Sequence, residues 1–223
     1  MIWYFKNKQC YDYLLNQLIN NALSVRFENS VYENSSEMEL YYSLEYMKNN
    51  NISALSVIFP LKDLSVNYGG QNDINKDFCD NNNIHYRYEE RKGGCMVLFP
   101  GNIIIQDVFP TDNFLRQHQF NNDFVNWLKE KGINANTDNN DVMIDGKKVI
   151  GAVSTMLPEP YERWVCFLAS ISVNSDPELI NQICTKPMKK IPGRLSDYGI
   201  TTDEVMEWTL DWFDKHQYTE QIN

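Results

Sequence analysis

The sequence predicts a single α+β domain in which a mixed or antiparallel sheet carries helices mainly on one face. Three observations predict it. Helix-periodic and strand-periodic segments alternate along the chain, and an Asp-Gly pair joins two apolar runs as a hairpin. No internal repeat and no Pro-, Gly- or Ser-rich linker divides the 223 residues, a length that fits one generous domain. Hydrophobic residues make up 43% and charged residues 22%, so the Asn-rich runs do not make the chain disordered.

Taken in order, a helix over Cys10–Leu23 is expected, then a strand over Ser24–Tyr32. Ser36 and Glu39 have the spacing of a capping box, and Leu40, Leu44 and Met47 then recur at helical spacing, which predicts a helix over 37–48. Ile52–Pro60 and Asp63–Tyr68 read as strands, Asp73–Asn82 as a short helix, and His85–Glu90 as a strand. A glycine-bearing loop, Arg91–Cys95, feeds the apolar run Met96–Phe99, and Asn102–Val108 is a further strand. Phe124, Val125, Trp127 and Leu128 give Asn122–Lys131 an apolar helical face, with Gly132 as its C-terminal stop.

Asp145-Gly146 suits the two positive-φ positions of a type I′ turn, so Asp141–Ile144 and Lys147–Ile150 should pair directly. That register sets Ile144 opposite Lys147, Met143 opposite Lys148 and Asp141 opposite Ile150, with Asp141 and Lys148 on one face and Lys147 on the other. Trp164–Val173 is the next strand and Pro177–Cys184 a short helix. Val205, Trp208, Leu210, Trp212 and Phe213 mark a last helix over Thr202–His216, capped by Thr201 or Thr202.

The net charge of −10 opposes binding to a nucleic-acid backbone. No apolar run is long enough to span a bilayer, the longest, Trp164–Val173, being broken by two serines. Five scattered cysteines without a CxxC pair, and no secretion signal at the N-terminus, predict a reducing, cytoplasmic setting. Cys166 and Cys184 read as core residues, Cys95 as a small buried residue or a thiol activated by Arg91 and Lys92, and the three histidines as surface residues.

Four segments together resemble the lipoate-protein ligase and octanoyltransferase family, which shares its fold with biotin-protein ligases. Gly69-Gly70-Gln71-Asn72 resembles the family's "ViGrxQN". Glu90–Val97 followed by Gly101-Asn102 resembles "RRsGGGaVyHdlGN". Asn140–Ala152 matches "NDixvdGkKisGxA" almost residue for residue, and Ala169–Asn174 with Arg194–Ser196 lies where the family has "HGtLLvn" and "Rvtsl". A GRGRxGR-type loop, expected of a biotin-protein ligase, is missing. The sequence departs from the lipoate pattern at Glu90 and Cys95, and at Phe99-Pro100 where the family has His-Asp.

The resemblance implies a ligase or transferase that joins a lipoyl or octanoyl group to a lysine of a small acyl-carrier (lipoyl) domain through an acyl adenylate. ATP and Mg²⁺ serve if it is a ligase, with lipoate or octanoate as substrate. A catalytically degenerate relative acting as a binding or structural protein is the alternative. It implies a single catalytic-type domain with residues 1–36 as an N-terminal addition and no C-terminal accessory domain.

Chemistry gives the residues their expected roles. A fixed cation stabilises charge on an adenylate phosphate, which points to Lys148. Asp141 is the expected magnesium ligand. The resemblance makes Gly70, Gln71, Asn72, Arg91, Lys92, Gly93, Gly94, Asn102, Asn140 and Gly151 the expected nucleotide- and acyl-binding residues, and at Gly93-Gly94 backbone amides can approach a ligand closely. The loop 91–95 and the hairpin 141–151 should wall the same cleft.

Overall fold

The computed structural model describes residues 55–61, 63–69, 74–88, 95–110, 115–156 and 164–216. The elements expected over 10–23, 24–32 and 37–48, together with Gly70, Gln71, Asn72 and Arg91–Gly94, lie outside the described residues. The pairing of loop 91–95 with the hairpin is outside them for the same reason.

The chain has ten strands and four helices among the described residues: β1 (Leu55–Pro60), β2 (Ser65–Tyr68), α1 (Lys76–Asn81), β3 (His85–Tyr88), β4 (Met96–Leu98), β5 (Ile103–Pro110), α2 (Arg116–Glu130), β6 (Ala135–Asp138), β7 (Asp141–Ile144), β8 (Lys147–Met156), β9 (Trp164–Ile171), α3 (Pro177–Ile183), β10 (Ile191–Pro192) and α4 (Thr202–Lys215), with a 3₁₀ turn over Leu195–Tyr198. The large sheet runs β1-β5-β9-β8-β7-β6, antiparallel throughout, and β10 adds to β8 in parallel. A small sheet, β3-β2-β4, has one parallel and one antiparallel pairing. The fold is thus α+β with mixed and antiparallel sheets, as the sequence predicts.

Alternation along β5 and β9 decides which face is covered. Ile103, Ile105 and Phe109 of β5 and Val165, Phe167, Ala169 and Ile171 of β9 point to one face. There they meet Phe120, Phe124, Val125 and Leu128 of α2 and Val205, Met206, Trp212 and Phe213 of α4. Phe120 is the hub of this layer, its ring centroid 5.0 Å from Trp212, 5.5 Å from Trp208 and 5.6 Å from Phe167. The capping box on α4 forms with Thr201, whose hydroxyl accepts from Glu204 N while the Glu204 carboxylate accepts from Thr201 N. A second cluster lies under the small sheet, where Val66, Ile74, Cys79, Ile84, Cys95, Phe99, Ile180, Ile183 and Cys184 pack together.

Helix α2 begins at Arg116, six residues before the predicted Asn122. Its first turns are polar in sequence yet buried: Arg116, Gln117 and Asn121 are all withdrawn from solvent. Arg116 is held by a salt bridge from Nε to Asp107 Oδ2 at 2.5 Å and donates from Nη1 to His216 O at 2.6 Å, with its guanidinium near Phe109, Trp212 and Phe213. A helix buried through charge pairing carries no apolar period there, which is why its start was not legible. His216 is not a free surface residue either, since its ring stacks on Trp212 at 4.4 Å. Among the described residues no helix is long and apolar enough to cross a membrane.

Candidate functional site

The hairpin forms as its turn residues dictate, with Asp145 at φ 50° and Gly146 at φ 75°. Ile144 faces Lys147 and Met143 faces Lys148, as expected. Beyond them the register shifts: Ile150 faces Val142, not Asp141, because Val149 is an extra residue in β8. Strict alternation would have sent one of Val149 and Ile150 to solvent, and the bulge lets both be fully buried. It also turns Gly151 to the side of Lys148.

The predicted pairing of Asp141 and Lys148 on one face is observed as a salt bridge, with Lys148 Nζ 3.0 Å from Asp141 Oδ1. Lys148 lies folded over Gly151. A Cβ at that glycine would stand 2.7 Å from Lys148 Cε and 2.8 Å from its Nζ, so only glycine leaves the lysine its place. Lys147 is exposed on the opposite side, its Cβ near Gly193, where Val149 also lies.

The other oxygen of Asp141, Oδ2, is 2.8 Å from Nζ of Lys190, which is also 2.8 Å from Asp138 Oδ2. Hydrogen bonds donated to both carboxylates, Asp138 first and Asp141 next, hold the Lys190 ammonium above the usual lysine value. Sequence reading missed Lys190 and Asp138. No local motif marks Lys190, and only the parallel pairing of β10 with Lys147 and Lys148 brings it near.

This donor set does not fit a resident magnesium ion at Asp141. Both carboxylate oxygens are engaged by ammonium groups, and among the described residues no three His, Cys, Asp or Glu side chains converge to hold a metal. Asp141 stands instead as an anchor for two lysines.

The remaining expected residues fall in different places. Asn140 is exposed beside the hairpin, and its carbonyl accepts from Asn121 Nδ2 at 3.0 Å. Asn102 is buried, accepting at Oδ1 from Val173 N and Asn174 N and donating from Nδ2 to Ser175 Oγ. Its side chain therefore shapes the 173–175 turn, where the sequence reading had it face a ligand. Cys95 is buried among Cys79 and Cys184, and a hydrogen bond with Cys184, then burial, holds its thiol well above the ordinary value. Cys95 is thus a core residue of the small cluster, and Arg91 and Lys92, which would activate its thiol, lie outside the described residues. A separate cavity of about 420 Å³ opens beside the start of α4, lined by Asn174, Ser196, Gly199 and Thr201 among others, with neither Lys148 nor Asp141 in its wall.

On the face of the large sheet away from α2 and α4, β8 and β9 continue from this cluster as Gly151, Val153, Ser170, Leu168 and Cys166. β5 adds Ile104, Gln106 and Val108 beside them. A charged end thus runs into a mostly apolar strip.

Comparison with known proteins agrees with this architecture. Lipoate-protein ligase A bound with ATP superimposes with a TM-score of 0.63 at 19% identity, over 81% of this chain and 80% of that one. The bipartite lipoate protein ligase of Thermoplasma acidophilum, described with its E2 lipoyl domain, gives 0.61 at 16% identity, over 96% of this chain and 81% of that one. LipL1 of P. falciparum, in complex with lipoate, gives 0.61 at 15% identity, over 100% of this chain and 62% of that one. No curated protein sequence matches the chain. A model of the lipoyl protein ligase A/B catalytic domain matches residues 66–213, and the chain belongs to that family.

Proposed function

We propose that the protein joins a lipoyl or octanoyl group to the ε-amine of a lysine on a small lipoyl domain. As a ligase, the acyl carboxylate displaces pyrophosphate from ATP to give an acyl adenylate, and the acceptor amine then attacks the carbonyl and expels AMP. Lys148 is the cation for the adenylate phosphate, a group whose charge must be held while the amine attacks. The observation that carries this reading is Lys148 lying over Gly151 and anchored to Asp141, inside the stretch that the family model matches. As a transferase, the same lysine would hold the acyl carbonyl of a donor carrier without ATP. Arg91, Lys92, Gly93 and Gly94, with Gly70, Gln71 and Asn72, complete the proposed ligand-binding set.

A second reading, an acyl-binding relative without catalysis, draws on Cys95 and Phe99, which stand in the small core where the family motif has glycine and histidine. One experiment separates the readings. The protein is incubated with lipoate, octanoate or an octanoyl-carrier donor, with and without ATP, and an apo lipoyl domain, and the domain is weighed by mass spectrometry. A mass gain of one acyl group that needs ATP supports the ligase. Gain from an octanoyl-carrier donor without ATP supports the transferase, and no gain with tight acyl binding supports the second reading.

A further inference from the structure

Lys190 belongs to none of the family-like motifs, yet the fold sews it to the strand that bears Lys148. Ile191 and Pro192 run parallel to Lys147 and Lys148, and Gly193 N donates to Lys148 O at 2.8 Å. Gly193 itself is closely packed, since a Cβ there would stand 2.9 Å from Lys147 Cβ. The approach of the segment is therefore fixed by backbone and does not depend on the reach of a flexible side chain.

From that base Lys190 Nζ reaches Oδ2 of both Asp138 and Asp141 at 2.8 Å, and Asp138 O at 3.2 Å. Asp141 gives its other oxygen to Lys148. The four side chains make a line of alternating charge, Asp138, Lys190, Asp141, Lys148, with Lys148 at the open end. Lys148 is 38% exposed and Asp141 only 15%, so an arriving anion meets the lysine before the carboxylate.

A lysine with an undivided carboxylate partner is neutralised in place and has little charge left for a phosphate. A lysine with no carboxylate partner is free to wander. Asp141 avoids both outcomes here because its charge is divided. Resting on the reading of Lys148 as the adenylate-holding cation, we propose that Lys190 is a positioning residue that shares Asp141 with Lys148, leaving Lys148 aligned over Gly151 and only half neutralised.

The test reads Lys148 directly. Acetic anhydride labelling of Lys148 is followed by peptide mass spectrometry in the parent, Lys190→Met, Lys190→Arg and Asp138→Asn, with thermal melts to confirm folding. In Lys190→Met, Asp141 closes on Lys148 alone and labelling slows about fivefold, as expected for contacting members of one charge network. Lys190→Arg restores most of the parent rate. Asp138→Asn frees Lys190 to draw harder on Asp141, and labelling of Lys148 speeds up.

A tie that merely joined two segments would make Lys190→Met and Asp138→Asn behave alike. Parent-rate labelling in Lys190→Met, or slowing in Asp138→Asn, overturns the proposal, and the second variant decides if the first fails to fold. In the transfer assay Lys190→Met should raise the KM for ATP more than it lowers kcat. A parent that transfers no acyl group removes the ligase reading while the labelling result still judges Lys190.

Discussion

Lys148 occupies the space that a side chain at Gly151 would fill, its Cε 2.7 Å and its Nζ 2.8 Å from the position of the missing Cβ. The contact exists because the bulge at Val149 brings residues 148 and 151 to one side of β8. A glycine in the middle of a strand weakens the strand, so this one answers to the lysine and not to the sheet.

Gly151→Ala should therefore separate activity from stability. The added methyl meets the mobile end of Lys148 and not backbone, and residue 151 does not have a positive φ. The lysine swings aside and the fold persists. Acyl transfer should fall by about 10²-fold, the loss typical of one misplaced electrostatic contact, while the melting temperature stays near that of the parent. Parent-like transfer rates would show that the position of Lys148 over Gly151 is irrelevant to the reaction.

The two adjacent lysines should differ as their surroundings do. Lys148→Ala removes the cation anchored by Asp141 and should cost about 10²–10³ in transfer rate. Lys147→Ala removes an exposed side chain on the opposite side and should leave the rate unchanged. Transfer assays with melts on both proteins check this, and equal damage would mean that the two lysines do not occupy opposite sides in solution.

What could be read from sequence was what local chemistry determines. Asp145-Gly146 forces its turn, and so fixes Met143 opposite Lys148. Thr201, one of the two expected caps, does cap α4, and the structure adds Glu204 three residues on as its partner. The bulge at Val149 was invisible because it answers to the burial of two successive residues, Val149 and Ile150, and no residue type announces it. Lys190 was invisible for a different reason: it enters the site through pairing between strands some forty residues apart in sequence. The start of α2 was hidden because Arg116 and its neighbours are buried by pairing, against the usual polarity rule.

Arg116 also carries a stability prediction. Its salt bridge to Asp107 is buried on both sides, with side-chain exposures of 2% and 0%. Arg116→Met leaves the Asp107 carboxylate in the interior without its guanidinium and should destabilise the protein by about 3–5 kcal/mol. Pairing it with Asp107→Leu should recover a large part of that loss, because the stranded charge is then gone. Denaturant unfolding of the two single variants and the double variant measures the coupling. Additive losses would mean that the pair is not coupled.

Alkaline pH should loosen the tie between the hairpin and the 3₁₀ turn. Tyr198 Oη donates to Asp145 Oδ2 at 2.9 Å, which links the turn that sets the Lys148 register to the segment before α4. Burial first, and then the bond to Asp145, push the Tyr198 phenol up from 10.0 to about 12. The folded protein thus keeps a proton that the unfolded chain releases, and the unfolded state binds fewer protons across that interval. Stability from this group is full below pH 10 and is lost as pH rises through about 12. Tyr198→Phe lacks the titrating group and, at pH 8, should be less stable by about 1 kcal/mol for the lost hydrogen bond. The informative quantity is the parent's unfolding free energy minus that of Tyr198→Phe, from denaturant melts between pH 8 and 12. Buried thiols and other tyrosines are present in both proteins and cancel in that difference. It should shrink as pH climbs above 10, and a difference that stays constant to pH 12 would show that the phenol is not held protonated by Asp145.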